Sequence, residues 1–173
     1  SNIVDEVWRR QSKGFSVETP LMINHSRALT VSWGESDPFG LVYFPMMLAW
    51  FNDTEHELLR ALGFGTEALI ARDRCAFVMG DIRHRFVGTA GYGDVVQTSI
   101  ELVKMTNSTL HWECKAWLQN TGKPVTEGLA IRVFARIRDD GGIDAQSIPQ
   151  ELRDALSHPG PLRDVQQTST LSR

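Results

Sequence analysis

The chain has 173 residues, 42% of them hydrophobic and 23% charged, with a formal net charge of -3 at pH 7. That length suits one domain with a real core, and the slightly acidic balance gives no basic face for nucleic acid. Two lone cysteines, Cys75 and Cys114, exclude a cysteine-rich zinc site and suggest no disulfide framework.

In chain order, residues 1–13 can form a short helix (VDEVWRR). SNIVDEVWRR is charged and lacks an apolar h-region, so no secretory signal is expected. The chain then looks extended from Phe15. Residues 27–33, RALTVSW, alternate and are rich in β-formers, which predicts a strand. SDPFG follows with turn chemistry, Asp37 before Pro38 and Gly40 two later.

From Phe44 to Leu62 the period becomes helical, with Phe44, Met47, Leu48, Phe51, Leu58 and Leu62 at three- and four-residue steps. Pro45 suits the first turn and Gly63 the stop. The apolar run LVYFPMMLAWF is too short to span a bilayer. A shorter helix is expected at 66–72.

Four strand-like runs come next, at 76–88, 94–104, 108–118 and 125–137, joined by TAGYGD, MTN and QNTGKP. Short joints predict an antiparallel four-strand meander. A terminal helix is expected at 147–156, and the tail HPGPLRDVQQTSTLSR reads as loop or disorder. The fold class is therefore α+β, one long helix against one antiparallel sheet that can curl around it. Both cysteines are expected as reduced core thiols in a cytoplasmic protein.

The segment WGESDPFGLVYFP carries the candidate chemistry. Asp37 lies just before a helix whose first N–H groups have no intrahelical partners. Those donors would polarise a carbonyl and stabilise its oxyanion, and a carboxylate beside them could attack it or activate water. Spacing alone leaves a second role open, since an Asp before a helix also serves as an N-cap or Asx-turn residue. Glu35 reads as a solvated acid. Arg83 and Arg85 share one face of their strand and His84 takes the other. His56, His25 and His111 suggest no base, and no His/Glu ligand spacing appears, so no metal or other cofactor is expected.

WGESDPFGLVYFPMMLAWFNDTEHELLRALG resembles the opening motif of the 4-hydroxybenzoyl-CoA thioesterase family, of the hotdog fold. RFVGTAGYGDVVQTSIEL and RVFARI resemble its later strands. The resemblance covers residues 25–140 and implies a hotdog domain there, with an N-terminal extension at 1–24 and a C-terminal helix and tail at 141–173. It implies an acyl-CoA thioesterase, with CoA entering only as part of the substrate. Asp37 takes the place of the catalytic carboxylate, the Phe44 backbone N–H that of the carbonyl-polarising donor, and Gly40 and Val42 that of the loop shaping the approach. Tyr43, Met46, Met47 and Trp50 fall where the acyl group would bind, and Met46-Met47 replaces a polar Asn-Tyr pair. Arg83, Arg85 and Lys104 are the candidates for the CoA phosphates, although the family's basic cluster is reduced here to Lys104. A homodimer or homotetramer with the site at the subunit interface is implied, with neither nucleic acid nor membrane as partner. Two other readings stay open: an acyl-CoA or small-ligand binding module without catalysis, and a hydratase, which the lack of a His in PFGLVYFP disfavours.

Overall fold

Residue alternation builds a sheet, and one change of period builds the helix laid against it. The computed structural model describes residues 22–163, so the short helix expected within 1–13 lies outside the described residues. β1 spans Ile23–Thr30, a single 3-10 turn spans Trp33–Glu35, α1 spans Phe44–Ala61 and α2 spans Thr66–Asp73. β2 (Cys75–Phe86), β3 (Val95–Met105), β4 (Thr109–Leu118) and β5 (Pro124–Ile137) follow. The chain closes with β6 (Ile143–Ala145), α3 (Gln150–Leu156) and β7 (Gly160–Pro161). β1 starts at Ile23 rather than Arg27 and stops before Val31, because the Trp33–Glu35 turn takes over the end of the expected strand.

The strands form one open sheet in the order β2-β5-β4-β3-β1-β7, with β6 added to β5. Every pairing is antiparallel except β1 with β7. This corrects the expected meander. β3, β4 and β5 are successive neighbours, but β2 pairs with β5 and not with β3. The segment 87–94 is therefore a crossover between the two sides of the sheet. Its start is pinned at β5, where the Val87 and Gly88 N–H groups donate to Val125 O at 2.9 and 3.1 Å. A Cβ on Gly88 would meet Pro124 O at 2.1 Å, so only glycine allows this exit. Its end is pinned beside β1, where Val31 N–H donates to Asp94 O at 2.9 Å.

α1 has Pro in its first turn. It ends in a Schellman arrangement, with Gly63 N–H donating to Arg60 O and Phe64 N–H to Leu59 O at 3.0 and 2.8 Å. Gly63 takes the left-handed φ of 85° that this cap requires. Its buried stripe is Met47, Trp50, Phe51, Thr54, Glu55, Leu58 and Leu59. Two polar residues sit in the middle of that stripe, and both are satisfied by the sheet. Thr54 Oγ1 shares a hydrogen bond of 2.8 Å with Thr98 Oγ1 on β3. Glu55 accepts from Trp112 Nε1 on β4 at 3.1 Å and from Arg132 Nε on β5 at 2.7 Å. Arg132 Nη2 also donates to Asn52 Oδ1 on α1. Phe51 stacks on His84 of β2, and Arg27 of β1 lies near Asp53 and Glu57. The helix thus contacts all five long strands.

Residues 143–162 close onto this core. Leu152 and Leu156 are fully buried, and Arg153 Nη1 donates to Thr106 O at 2.6 Å. The tail expected from His158 is accordingly shorter, since Gly160–Pro161 pairs with β1 and Leu162 is buried. Residues 164–173 lie outside the described residues. Cys75 and Cys114 are buried and unpaired. Among the described residues no helix is long and apolar enough to cross a membrane.

Removing one partner of a buried ion pair strands the other charge and typically costs about 3–5 kcal/mol, whereas replacing both by apolar residues can be neutral. Arg132→Met should therefore lower stability by about that amount in urea unfolding. The double variant Glu55→Leu/Arg132→Met should recover most of the loss. Equal destabilisation by the single and double variants would show that the pair does not seat the helix.

Candidate active site

The turn signals of SDPFG close a tight loop ahead of α1. Asp37 N–H donates to Leu41 O at 2.7 Å and Gly40 N–H to Asp37 O at 2.9 Å. Asp37 Oδ1 accepts from the Phe39 and Leu41 N–H groups at 2.8 and 3.1 Å. Asp37 is therefore an Asx-turn residue. One carboxylate oxygen is spent on the loop. The other, Oδ2, has no partner among the described residues, and the residue is only half-buried.

The helix start supplies the complementary group. Tyr43 occupies the N-cap and donates its N–H to Glu35 O at 2.8 Å. Met46 N–H is taken by Tyr43 O at 2.9 Å, and Pro45 has no N–H. Among the described residues the Phe44 N–H has no acceptor, which leaves one oriented donor at the positive end of the helix dipole.

Two supports hold the loop. The first is the crossover. Val42 N–H donates to Ala90 O at 2.9 Å, Tyr92 N–H to Gly40 O at 3.2 Å, and Leu41 bridges Gly91. Gly40 has φ 77°, and a Cβ on Gly91 would stand 2.8 Å from Gly40 O, so the approach needs both glycines. Asp94 Oδ2 accepts from Gly91 N–H at 2.8 Å and shapes that crossover.

The second support is Glu35, and it corrects the solvated-acid reading. Its Oε1 accepts from Trp50 Nε1 at 2.8 Å, and its Oε2 accepts from Ser32 N–H and Ser32 Oγ at 2.8 and 2.9 Å. Burial alone would raise its carboxyl, but the Trp50 and Ser32 donors outweigh it and hold the group below the ordinary 4.5. The partner on α1 is fifteen residues away, so local spacing could not reveal it; the Ser32-x-x-Glu35 pattern of a capping box was the available signal.

The surface around the loop is aromatic. Trp33 meets Tyr92 edge-on at 5.4 Å between centroids, and Phe44 contacts both Tyr43 and Phe86, at 5.7 and 5.8 Å. Phe39 is 90% exposed.

The other expected site residues are dispersed. Met46 is half-buried beside the loop, whereas Met47 and Trp50 are 5% and 3% exposed and face the core of the chain. Helical period places them there, on the same stripe as Phe51 and Leu58. Arg83 and Arg85 do project from one face of β2 with His84 on the other, and each has an acidic neighbour, Asp81 and Glu127 respectively. Lys104 is on β3, opposite His111 of β4. That is three strand positions from β2, on the order of 14 Å at ordinary strand spacing, so it does not join the arginines.

A concave feature lies further along α1. A shallow cleft, with room for about a water molecule or two, is walled by α1, β2, β3, β4 and β5 and lined in part by Glu55, Arg132 and His84. Neither Glu55 nor Arg132 was expected in a site. Their signal was periodic: Glu55 falls on the apolar stripe, and Arg132 shares the inward face of β5 with Ala130 and Phe134. Among the described residues no cluster of His, Cys, Asp and Glu could hold a metal ion.

A family model described as the thioesterase-like superfamily matches residues 31–156. Among solved structures, a 1,4-dihydroxy-2-naphthoyl-CoA thioesterase from Synechocystis is similar with a TM-score of 0.70 at 15% identity, over 79% of this chain and 99% of that one. The dynemicin thioesterase is similar with a TM-score of 0.70 at 22% identity, over 79% and 97%. A 4-hydroxybenzoyl-CoA thioesterase mutant complexed with 4-hydroxybenzoyl-CoA gives 0.71 at 17% identity, over 77% and 98%. At these identities the likeness is one of fold. No curated protein sequence matches the chain.

Loss of the Glu35 brace should be measurable. Glu35→Ala leaves the buried Trp50 N–H without an acceptor, at a cost of about 1–3 kcal/mol in urea unfolding at pH 7. Because the folded-state carboxyl is depressed, its contribution is present above about 4.5 and is lost as pH falls through the folded value. The gap between wild type and variant should therefore narrow in acid. A gap that is absent at pH 7, or that widens in acid, would rule the brace out.

Proposed function

The chain belongs to the thioesterase-like superfamily and has its hotdog fold, and from that premise we propose that it hydrolyses an acyl-CoA thioester to a carboxylic acid and CoA. The observation that carries this reading is the pairing of an uncommitted carboxylate oxygen on Asp37 with an uncommitted N–H at Phe44, on one braced loop at a helix start.

In this reading the Phe44 N–H donates to the thioester carbonyl oxygen and stabilises the charge that develops there. Asp37 acts through Oδ2 as nucleophile or general base. As general base it takes a proton from water, the water oxygen bonds to the carbonyl carbon, and the tetrahedral intermediate expels the thiolate. That thiolate is protonated as the Asp37 carboxylate is restored. As nucleophile it bonds to the carbonyl carbon as the C–S bond breaks and the CoA thiolate leaves, and water then cleaves the resulting acyl-carboxylate anhydride, restoring Asp37 and supplying the proton for the thiolate. Gly40 and Val42 hold the loop against the crossover. Tyr43, Phe44, Met46 and Phe86 present the apolar surface that the acyl group crosses.

The finer architecture belongs to the same reading. The sheet curls around α1 as a central helix, and two or more copies of the chain meet over the aromatic surface, placing the site at a subunit interface. The exposure of Phe39, Tyr43 and Phe44 in the single chain supports this. Arg83 and Arg85, on the outward face of β2, are placed to meet the CoA phosphates, with Lys104 at a separate position.

Asp37→Asn keeps one oxygen to accept the loop hydrogen bonds but removes the base. It should lower kcat/KM for thioester hydrolysis, followed by thiol release, by on the order of a hundredfold or more, with little change in Tm. Wild-type-like turnover would remove Asp37 from the mechanism. Saturable acyl-CoA binding with no thiol release by the wild type would make the protein a binding module instead.

A further inference from the structure

We propose that Glu35 is a positioning residue for the hydrolysis: it touches no reacting atom, but its side chain sets the Phe44 N–H against Asp37. The proposal rests on the thioesterase reading and adds to it the group that holds the reacting pair in register.

Asp37 and the Phe44 N–H stand at the two ends of one loop, and their joint action depends on separation and alignment. A misplacement of about 1 Å can cost on the order of a hundredfold in rate. Glu35 reaches both ends. On the Asp37 side it closes the 3-10 turn: Glu35 N–H donates to Ser32 O at 3.2 Å, Ser36 N–H donates to Trp33 O at 3.1 Å, and Ser36 bridges Val42. The single residue between Glu35 and Asp37 is thus tied on both sides. On the helix side Glu35 O accepts from Tyr43 N–H at 2.8 Å, one residue before Phe44.

That backbone bond holds one point of α1 and would let the helix pivot about it. The side chain holds a second point. Glu35 Oε1 accepts from Trp50 Nε1 at 2.8 Å, and helical rise puts Trp50 about 9 Å beyond Phe44. Glu35 Oε2 is anchored on Ser32 N–H and Oγ at 2.8 and 2.9 Å. The carboxylate therefore spans from the end of β1 to the second turn of the helix. Trp50 is 3% exposed and packed in the core, so its indole moves only with α1. Two points of the helix held by one residue set the direction of its first two turns, and with it the direction of the Phe44 N–H.

Reach, and not charge, is what this role requires. Glu35→Gln keeps the length and an oxygen for Trp50. Its amide N–H2 then faces Ser32, whose Oγ can accept and whose exposed N–H can turn to water. Glu35→Asp keeps the charge but is shorter by about 1.5 Å, so it cannot hold Trp50 and Ser32 together. Were Glu35 to act through its charge on the site, Asp would keep the rate and Gln would lose it.

The test is the single-turnover rate of thiol release, with benzoyl-CoA, octanoyl-CoA and palmitoyl-CoA as probes and the one cleaved fastest by the wild type used throughout. Glu35→Gln should stay close to wild type, and Glu35→Asp should be about tenfold slower, with substrate affinity unchanged in both. Leu156→Ala, which empties a buried position in α3, is the control for stability. It should keep the wild-type rate even where it unfolds as readily as Glu35→Asp. Glu35→Asp as fast as Glu35→Gln, a loss carried by affinity, or an equal loss in Leu156→Ala overturns the proposal, while the thiol released by the wild type leaves the thioesterase reading intact. If Glu35→Asp does not fold, Trp50→Phe removes the donor from the other end and takes its place, with the same expectation. If the wild type releases thiol from none of the probes, the thioesterase reading fails, and the Tyr43 and Phe44 amide resonances decide the role of Glu35. Displacement in Glu35→Asp but not in Glu35→Gln then supports it, and equal displacement or none overturns it.

Discussion

The position of α1 on the sheet is set by a buried ion pair, and the site depends on that position. An apolar stripe packed on an apolar sheet is tolerant, because one greasy register resembles the next. Glu55 removes the tolerance: with its carboxylate buried, it must find both Trp112 on β4 and Arg132 on β5. A shift of one helical turn would strand a charge, an error of several kcal/mol. Fixing Glu55 also fixes Phe44, three turns earlier, and with it the direction in which the helix start presents its N–H.

The loop carrying Asp37 is then located from both sides. Glu35 ties its upstream limb to Trp50, which is itself in the core under α1. The crossover 87–94 ties its downstream limb through Val42 and Gly40. The crossover can do this only because β2 and β3 are not neighbours. A hairpin in its place would turn back at the sheet edge and never pass beside the loop. The non-sequential strand order is thus what brings TAGYGD to SDPFG.

These relations explain which features could be read from residues alone. α1 was legible because its signals are local: Pro45 at the start, a three- and four-residue stripe, Gly63 at the end. The five long strands were legible from alternation, and the Asp37–Phe44 segment from turn chemistry and its family resemblance. The crossover was not, because TAGYGD has the composition of a hairpin turn and nothing in it encodes which strand lies beside Gly88. Glu35 was misread because its partner is distant in sequence. Glu55 and Arg132 lay on correctly read inward faces but were passed over, since a charge on a buried face has meaning only when its opposite is found across the gap. Met47 and Trp50, expected beside the acyl group, lie in the single chain on the buried stripe of α1.

The same pair that seats the helix also sets the character of the cleft. A core filled with leucine at positions 55 and 132 could be as stable, yet it would present only hydrocarbon beside His84. With Glu55 and Arg132 there, the cleft has polar walls and no net charge, and the His84 ring, in contact through Nδ1 with Thr126, leaves Nε2 buried without a partner among the described residues. A buried polar atom left unmet works against stability.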